Sequence, residues 1–247
     1  DAPKWVEAID KERTKLLGFG TWRALNDEEL QSAKNPVPVA LVLTKKRCGT
    51  YKCRAVVLGN LYKHDGHLDV YASVISQGAT RYMLVDAASK GDFMALFDID
   101  NAFVQSLIDT DVFVRLPKNW RETEQDTGIR KLVKALYGLP QAPRLWAKCY
   151  EKRLIELGWE QSLSRGLWKK RSSRVVKRLL RLGVFVDDNT ITGPDKQEVS
   201  DETNKILDVF PGKIIPSEDM GNGWIRYDLL GTDVWYNRSL RSLDITM

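Results

Sequence analysis

Histidine and cysteine are scarce here: two of the first, His64 and His67, and three of the second, Cys48, Cys53 and Cys149, in 247 residues. An odd number of thiols with no secretory signal ahead of them argues against a disulfide framework and points to free cysteines in a reducing compartment. Cys48 and Cys53 stand close enough to begin a zinc site. No second close pair of Cys or His follows at ligand spacing, so structural zinc is not expected, and "KHDGHLD" reads as a solvated turn. Long apolar runs are also missing: none nears the roughly 20 residues that cross a bilayer. With 43% hydrophobic and 29% charged residues, disorder is not indicated either. The expectation is a soluble chain with a core of its own, in one large domain or two small ones. No methionine opens the chain and Asp1 stands first, as expected of a fragment cut from a longer product.

What is present is positive charge and a set of strand-ending acids. Lys and Arg number 38 against 33 Asp and Glu, a formal net charge of +5, with a pI near 9.0 that suits a polyanionic partner. "WKKRSSRVVKRLLR", residues 168–181, holds seven basic residues and no acid. It is either a solvated hairpin face or part of a nucleic-acid groove.

Periodicity places a helix over "APKWVEAIDKERTKLLGFG" and an antiparallel pair over "VPVALVLTKK" and "YKCRAVVLG", with Lys45, Lys46, Arg47 and Lys52 at its tip. Helices follow over "ATRYMLVDAASKG", "QAPRLWAKCYEKRLIELG" and "DKQEVSDETNKILDVF". Strands are expected over "FMALFDI", "DVFVRLP" and "VVKRLLRLGVFV", the last turning through Asp-Asp-Asn into "NTITG". Helices and strands mix without strict alternation, which argues for an α+β fold.

Asp98 closes "ALFDID" much as Asp187 and Asp188 close "VFVDD": each follows an apolar run suited to the middle of a sheet. Carboxylates about 4 Å apart at an effective dielectric near 20 repel by roughly 4 kcal/mol, so clustered acids call for a shared proton or a cation. A divalent ion between them would make a phosphoryl-transfer site. The plainer alternative is that these acids cap turns and face solvent, and spacing in the sequence does not decide between the two.

"FVDDNTITG" resembles the Tyr/Phe-Val-Asp-Asp hairpin of reverse transcriptases, most nearly those of copia-type (Pseudoviridae) retrotransposon polyproteins. "PKWVEAIDKE" with "GTWRAL", "YKCRAVVLGN", "YASVIS", "LFDIDNAFVQSLIDTDVFVRLPKNW", "KLVKALYGLPQAPRLWAKCY" and "LGWEQS" resemble that family's successive blocks, in order and over nearly the whole chain. The resemblance implies a right-hand polymerase fold of fingers and palm, with the thumb partial or absent. Its approximate subdomains are fingers at 1–75 and 113–138, palm at 76–112 and 139–225, and the start of a thumb or connection at 226–247.

The resemblance also implies a chemistry. Asp98, Asp187 and Asp188 match the catalytic triad: Asp98 and Asp187 would ligate two magnesium ions, for which manganese can substitute, the Ile99 carbonyl would add an oxygen, and Asp188 would support them. Phe103 matches the aromatic gate that excludes a ribose 2′-hydroxyl, and Gln141 a glutamine lining the nucleotide pocket. Lys52 and Arg54 match the residues that hold the triphosphate, with Lys46 or Arg47 as a further contact. Lys213 matches a lysine that protonates pyrophosphate. The implied activity is RNA-directed DNA polymerase, with primed RNA or DNA template and deoxynucleoside triphosphates as partners. No membrane is implied. Integrase and ribonuclease H are the expected polyprotein neighbours, and the expected location is the cytoplasm, within virus-like particles, or the nucleus. Three departures stand out: Val57, Leu58 and Gly59 replace Ala-Arg-Gly, Arg165 replaces an acid, and Ser73 replaces a proline. They keep a second reading open, a diverged nucleic-acid-binding module without catalysis, and a metal-dependent nuclease is a third.

Overall fold

The computed structural model describes residues 1–46, 49–63 and 69–246; Arg47, Cys48, His64 and His67, singled out above, lie outside these. The chain divides into two compact units, Asp1–Ala72 with Phe103–Cys149, and Ser73–Ala102 with Tyr150–Met247.

In the first unit, α1 (Ala2–Gly18) carries Pro3 in its first turn, where a missing N–H costs nothing. Past its end, the Thr21 hydroxyl donates to the Leu16 carbonyl at 2.7 Å. The buried face of α1 lies on β3 (Tyr51–Val57), where the Glu12 carboxylate accepts the Ala55 N–H at 3.1 Å. That strand is the outer one of a five-stranded sheet ordered β1 (Trp22–Arg23), β6 (Ile129–Leu132), β5 (Phe113–Arg115), β2 (Val37–Lys45), β3. Glu12 therefore takes up an edge donor that no strand pairs. The expected hairpin of β2 and β3 is present, and only β2 with β5 runs parallel among this sheet's described pairs. A short helix not anticipated above, α2 (Asp27–Ser32), starts at a capping box in which Asn26 and Glu29 satisfy each other's amides. Val39, Ala55, Val114, Trp120, Leu132 and Leu136 fill the core.

The second unit is built on a six-stranded antiparallel sheet ordered β11 (Gly212–Ile215), β4 (Phe93–Ile99), β10 (Asp188–Gly193), β9 (Leu179–Phe185), β8 (Leu167–Arg171), β7 (Glu160–Gln161). Two helices pack on it: α3 (Gln77–Lys90), capped by the Ser76 hydroxyl, and α5 (Lys196–Leu207), capped by the Asp195 carboxylate. A four-stranded antiparallel sheet closes the unit, formed by β12 (Glu218–Gly221), β13 (Trp224–Leu229), β14 (Thr232–Asn237) and β15 (Ser242–Thr246). Tyr227, Val234 and Tyr236 from this sheet pack with Leu84, Ala88 and Leu96. The remaining helix, α4 (Ala142–Glu156), belongs to the first unit as far as Cys149 and to the second from Tyr150.

The architecture is α+β, as the sequence implied, with two corrections. The strand expected from Val175 begins at Leu179 instead. The Ser172 hydroxyl accepts the amide N–H groups of Arg174 and Val175, at 3.2 and 2.9 Å, and Lys177 takes φ +59, so the β-branched pair sits in a turn. The second hairpin turns at Val186 and Asp187, not through Asp-Asp-Asn: Asp188 already pairs with Phe185. Among the described residues no helix is long and apolar enough to cross a membrane. Cys53 and Cys149 are free thiols, Cys53 buried.

Candidate active site

β4 is a central strand whose apolar residues lie in the sheet and whose C-terminal end carries Asp98. Its two neighbours set what stands beside that carboxylate: Asp188 of β10 is registered opposite Asp98 on one side and Lys213 of β11 on the other. Directly paired residues share a face with Cβ atoms about 5 Å apart, so the order across that face is Asp188, Asp98, Lys213. The Lys213 ammonium lies 3.4 Å from Asp98 Oδ2. Asp187 joins through its backbone, its carbonyl accepting the Ile99 N–H at 2.9 Å. Asp98 and Asp188 therefore stand side by side, with the Asp187 main chain against Ile99.

β11 comes this close because Gly212 has no side chain; a Cβ there would run into the Asp98 carbonyl oxygen. Burial first, then the neighbouring Asp187, Asp98 and Asp228 carboxylates, push Asp188 up to about 6, with Lys213 opposing. Asp228, on β13, was not singled out from the sequence. It lies in an ordinary polar hairpin, and only the tertiary fold brings its charge to this site.

No group of three or more His, Cys, Asp or Glu side chains stands at metal-holding separation among the described residues. Magnesium does not require such a cage, since it commonly takes one or two carboxylates and fills its other positions with water and substrate phosphate. The donors fit that habit: they are hard carboxylate oxygens paired across strands, where burial first and then mutual repulsion raise Asp188 and one lysine offsets only part.

The first unit holds a separate, positive constellation. Lys52 and Arg54 are two apart on β3 and so project to one side of the strand. The Lys52 ammonium is pushed below the ordinary lysine range by burial and then by Arg54, Lys46 and Lys15. Arg54 stands over the Tyr137 ring, 5.8 Å from its centre, and the Phe103 ring meets Tyr137 edge-on at 4.8 Å. Tyr137, in "ALYGLPQ", thus joins two residues the sequence had singled out separately. Its loop is zipped to the end of β3: the Val57 N–H donates to the Tyr137 carbonyl at 2.7 Å, and Gly138, at φ +89, backs onto Gly59 so closely that a Cβ on either would meet main-chain oxygen. Gln141 is fully buried, its amide 3.4 Å from the Thr110 hydroxyl and its Oε1 without a hydrogen-bond partner.

The basic run at 168–181 turns out to be largely neutralised within the fold. Lys169 pairs with Glu160, Lys170 with Glu202, Arg174 with Asp201 and Asp195, Arg178 with the buried Asp92, and Arg181 with Asp86. Its cations serve mainly to fasten the β8–β9 hairpin to the helices and strand beside it.

The family of reverse transcriptases (RNA-dependent DNA polymerases) matches residues 20–215, and the chain belongs to it. Among curated proteins the chain is similar to the retrovirus-related Pol polyprotein from transposon RE1 of Arabidopsis thaliana, 29% identical over 199 residues. That match covers 78% of this chain and 13% of the relative's length. The kinship with copia-type retrotransposon polyproteins implied by the motifs is borne out.

Proposed function

We propose that this chain is the nucleotidyl-transfer core of a retroelement, adding deoxynucleotides to a primer on an RNA template. The observation that carries this reading is the register of Asp98 opposite Asp188, with the Asp187 carbonyl bound to the Ile99 amide, in a chain of the reverse transcriptase family. In this reading the second unit supplies the palm and the first the fingers.

Asp98 and Asp187 would hold two magnesium ions with the Ile99 carbonyl, and Asp188 would support them. The bound ions would lower the pKa of the primer hydroxyl and balance the charge of the departing pyrophosphate. Strand ends hold these acids within the small tolerance that in-line transfer demands. Lys213, 3.4 Å from Asp98 Oδ2, is assigned the proton for the leaving group. Arg54 and Lys52 offer a guanidinium and an ammonium to triphosphate oxygens, and Phe103, braced by Tyr137, is the sugar gate. Gln141 is assigned to the nucleotide pocket. Template, primer and deoxynucleoside triphosphates are the proposed partners, with integrase and ribonuclease H as neighbours in a longer product.

The test is primer extension on an RNA template with magnesium. The 247-residue chain should extend primer, whereas Asp98→Asn and Asp187→Asn should each lose about 10³-fold or more in rate with template affinity nearly unchanged. Equal extension by Asp187→Asn would refute the mechanism. Salt-sensitive binding without extension by the unaltered chain would replace it with a binding module, and degradation without synthesis with a nuclease.

A further inference from the structure

We infer that Asn189, held in place by Tyr150, is a positioning residue for Asp187, the two side chains forming a buried polar strut beneath the turn that carries this acid. Its catalytic consequence rests on the reading above; its geometry does not. The turn is an unfavourable one. Val186 adopts φ +60, a left-handed conformation that a β-branched residue keeps only when its surroundings hold it.

The holding is visible at the next peptide. The Asp187 carbonyl accepts two hydrogen bonds, from the Ile99 N–H at 2.9 Å and from Asn189 Nδ2 at 2.8 Å. Asn189 is only 2% exposed, and its Oδ1 accepts the Tyr150 hydroxyl at 2.9 Å. The amide has a single workable orientation, because the Asp187 carbonyl can only accept and the Tyr150 hydroxyl is then the donor. Tyr150 is itself 2% exposed and meets Phe210 edge-on at 5.4 Å. Burial raises its hydroxyl well above the ordinary phenol range, which keeps it a donor.

The strut thus runs from α4 through β10 to the carbonyl of the proposed metal ligand. Burying an amide in a core has a cost unless every group is paired, and here both ends are. An apolar pair would fill the same space and take away the Asn189 hydrogen bond to the Asp187 carbonyl.

The experiment compares the full chain with Tyr150→Phe, Asn189→Leu and the double variant carrying both. Replacing both partners by apolar groups leaves no stranded polar atom in the strut, so the double variant should melt close to the unaltered chain. It should nevertheless show faster hydrogen exchange at the Ile99 amide, weaker binding of manganese alone by electron paramagnetic resonance, and kcat about tenfold lower, with KM for primed template little changed. A double variant equal to the unaltered chain in Ile99 exchange and manganese affinity would overturn the strut. If that variant fails to fold, Tyr150→Phe, which removes one oxygen atom, is judged on the same two readouts. If the unaltered chain extends no primer, the polymerase reading falls, and exchange and manganese affinity still decide the positioning role.

Discussion

Phe103, the proposed sugar gate, is also a packing residue. It lies partly buried against the core of the first unit and edge-on to Tyr137, so its position is set by neighbours rather than by its own rotamer freedom. Phe103→Val should keep the fold while opening space beside the sugar, and single-nucleotide incorporation should show a lower preference for deoxyribonucleotides over ribonucleotides. Unchanged sugar discrimination would remove the gate. Glu29 is a second residue whose surroundings define it. Hydrogen bonds from Arg23, at 2.7 and 2.6 Å, and from Lys131, at 2.9 Å, hold its carboxylate down to about 2. A depressed folded-state value stabilises the protein at pH above the ordinary glutamate pKa of about 4.3, and that stabilisation is lost as pH falls toward 2. Glu29→Gln should therefore flatten the dependence of the melting temperature on pH over that window, with little change in its slope near neutrality.

At the level of elements, what holds the proposed sites is backbone pairing more than side-chain contact. The loop after β6 lies against the end of β3 through the Val57 amide and the facing pair Gly59 and Gly138. Gly138→Ala should cost on the order of 3 kcal/mol, because the new methyl meets main-chain oxygen and the backbone there is left-handed. Chemical denaturation measures it, and a loss within about 0.5 kcal/mol would show that the loop yields. β11 makes the same kind of approach beside Asp98, so a side chain at Gly212 would push Lys213 out of register with the acid. The hairpin of β9 and β10 was legible in outline, since an apolar run ended by Asp187 and Asp188 announces a strand and a turn. The turn's exact residues were not, because Val186 has a strong β preference, and its φ of +60 goes with long-range partners: the pairing of Asp188 with Phe185 and the hydrogen bonds to the Asp187 carbonyl. The four strands from Glu218 to Thr246 went unread because they are short, polar on one side and stabilised by α3 and β4, which lie far back in the chain.

Over the whole molecule, the distribution of charge matters more than its total. A net charge of +5 made the run at 168–181 the natural place to look for a polyanion surface, yet five of its seven basic residues are paired with acids. The cluster of Lys46, Lys52 and Arg54 is the better candidate, its cations crowding one another. Lys46→Ala with Lys52→Ala should lower the salt dependence of template binding by about one to two in log–log slope. Lys169→Ala with Arg174→Ala should leave that slope unchanged, and fluorescence anisotropy across a salt series distinguishes the two. The sequence by itself determined the family, the α+β class and most helices, because these depend on local pattern: apolar periodicity, caps, and motifs read within a dozen residues. Only the tertiary structure decided that Asp188 and Lys213 flank Asp98, that the charge of Asp228 reaches Asp188, that the Tyr150–Asn189 pair attends the turn, and that the basic run is largely spent on internal ion pairs. Each of those depends on strand register and on partners far apart in the chain, and a linear pattern carries no record of which distant group will arrive.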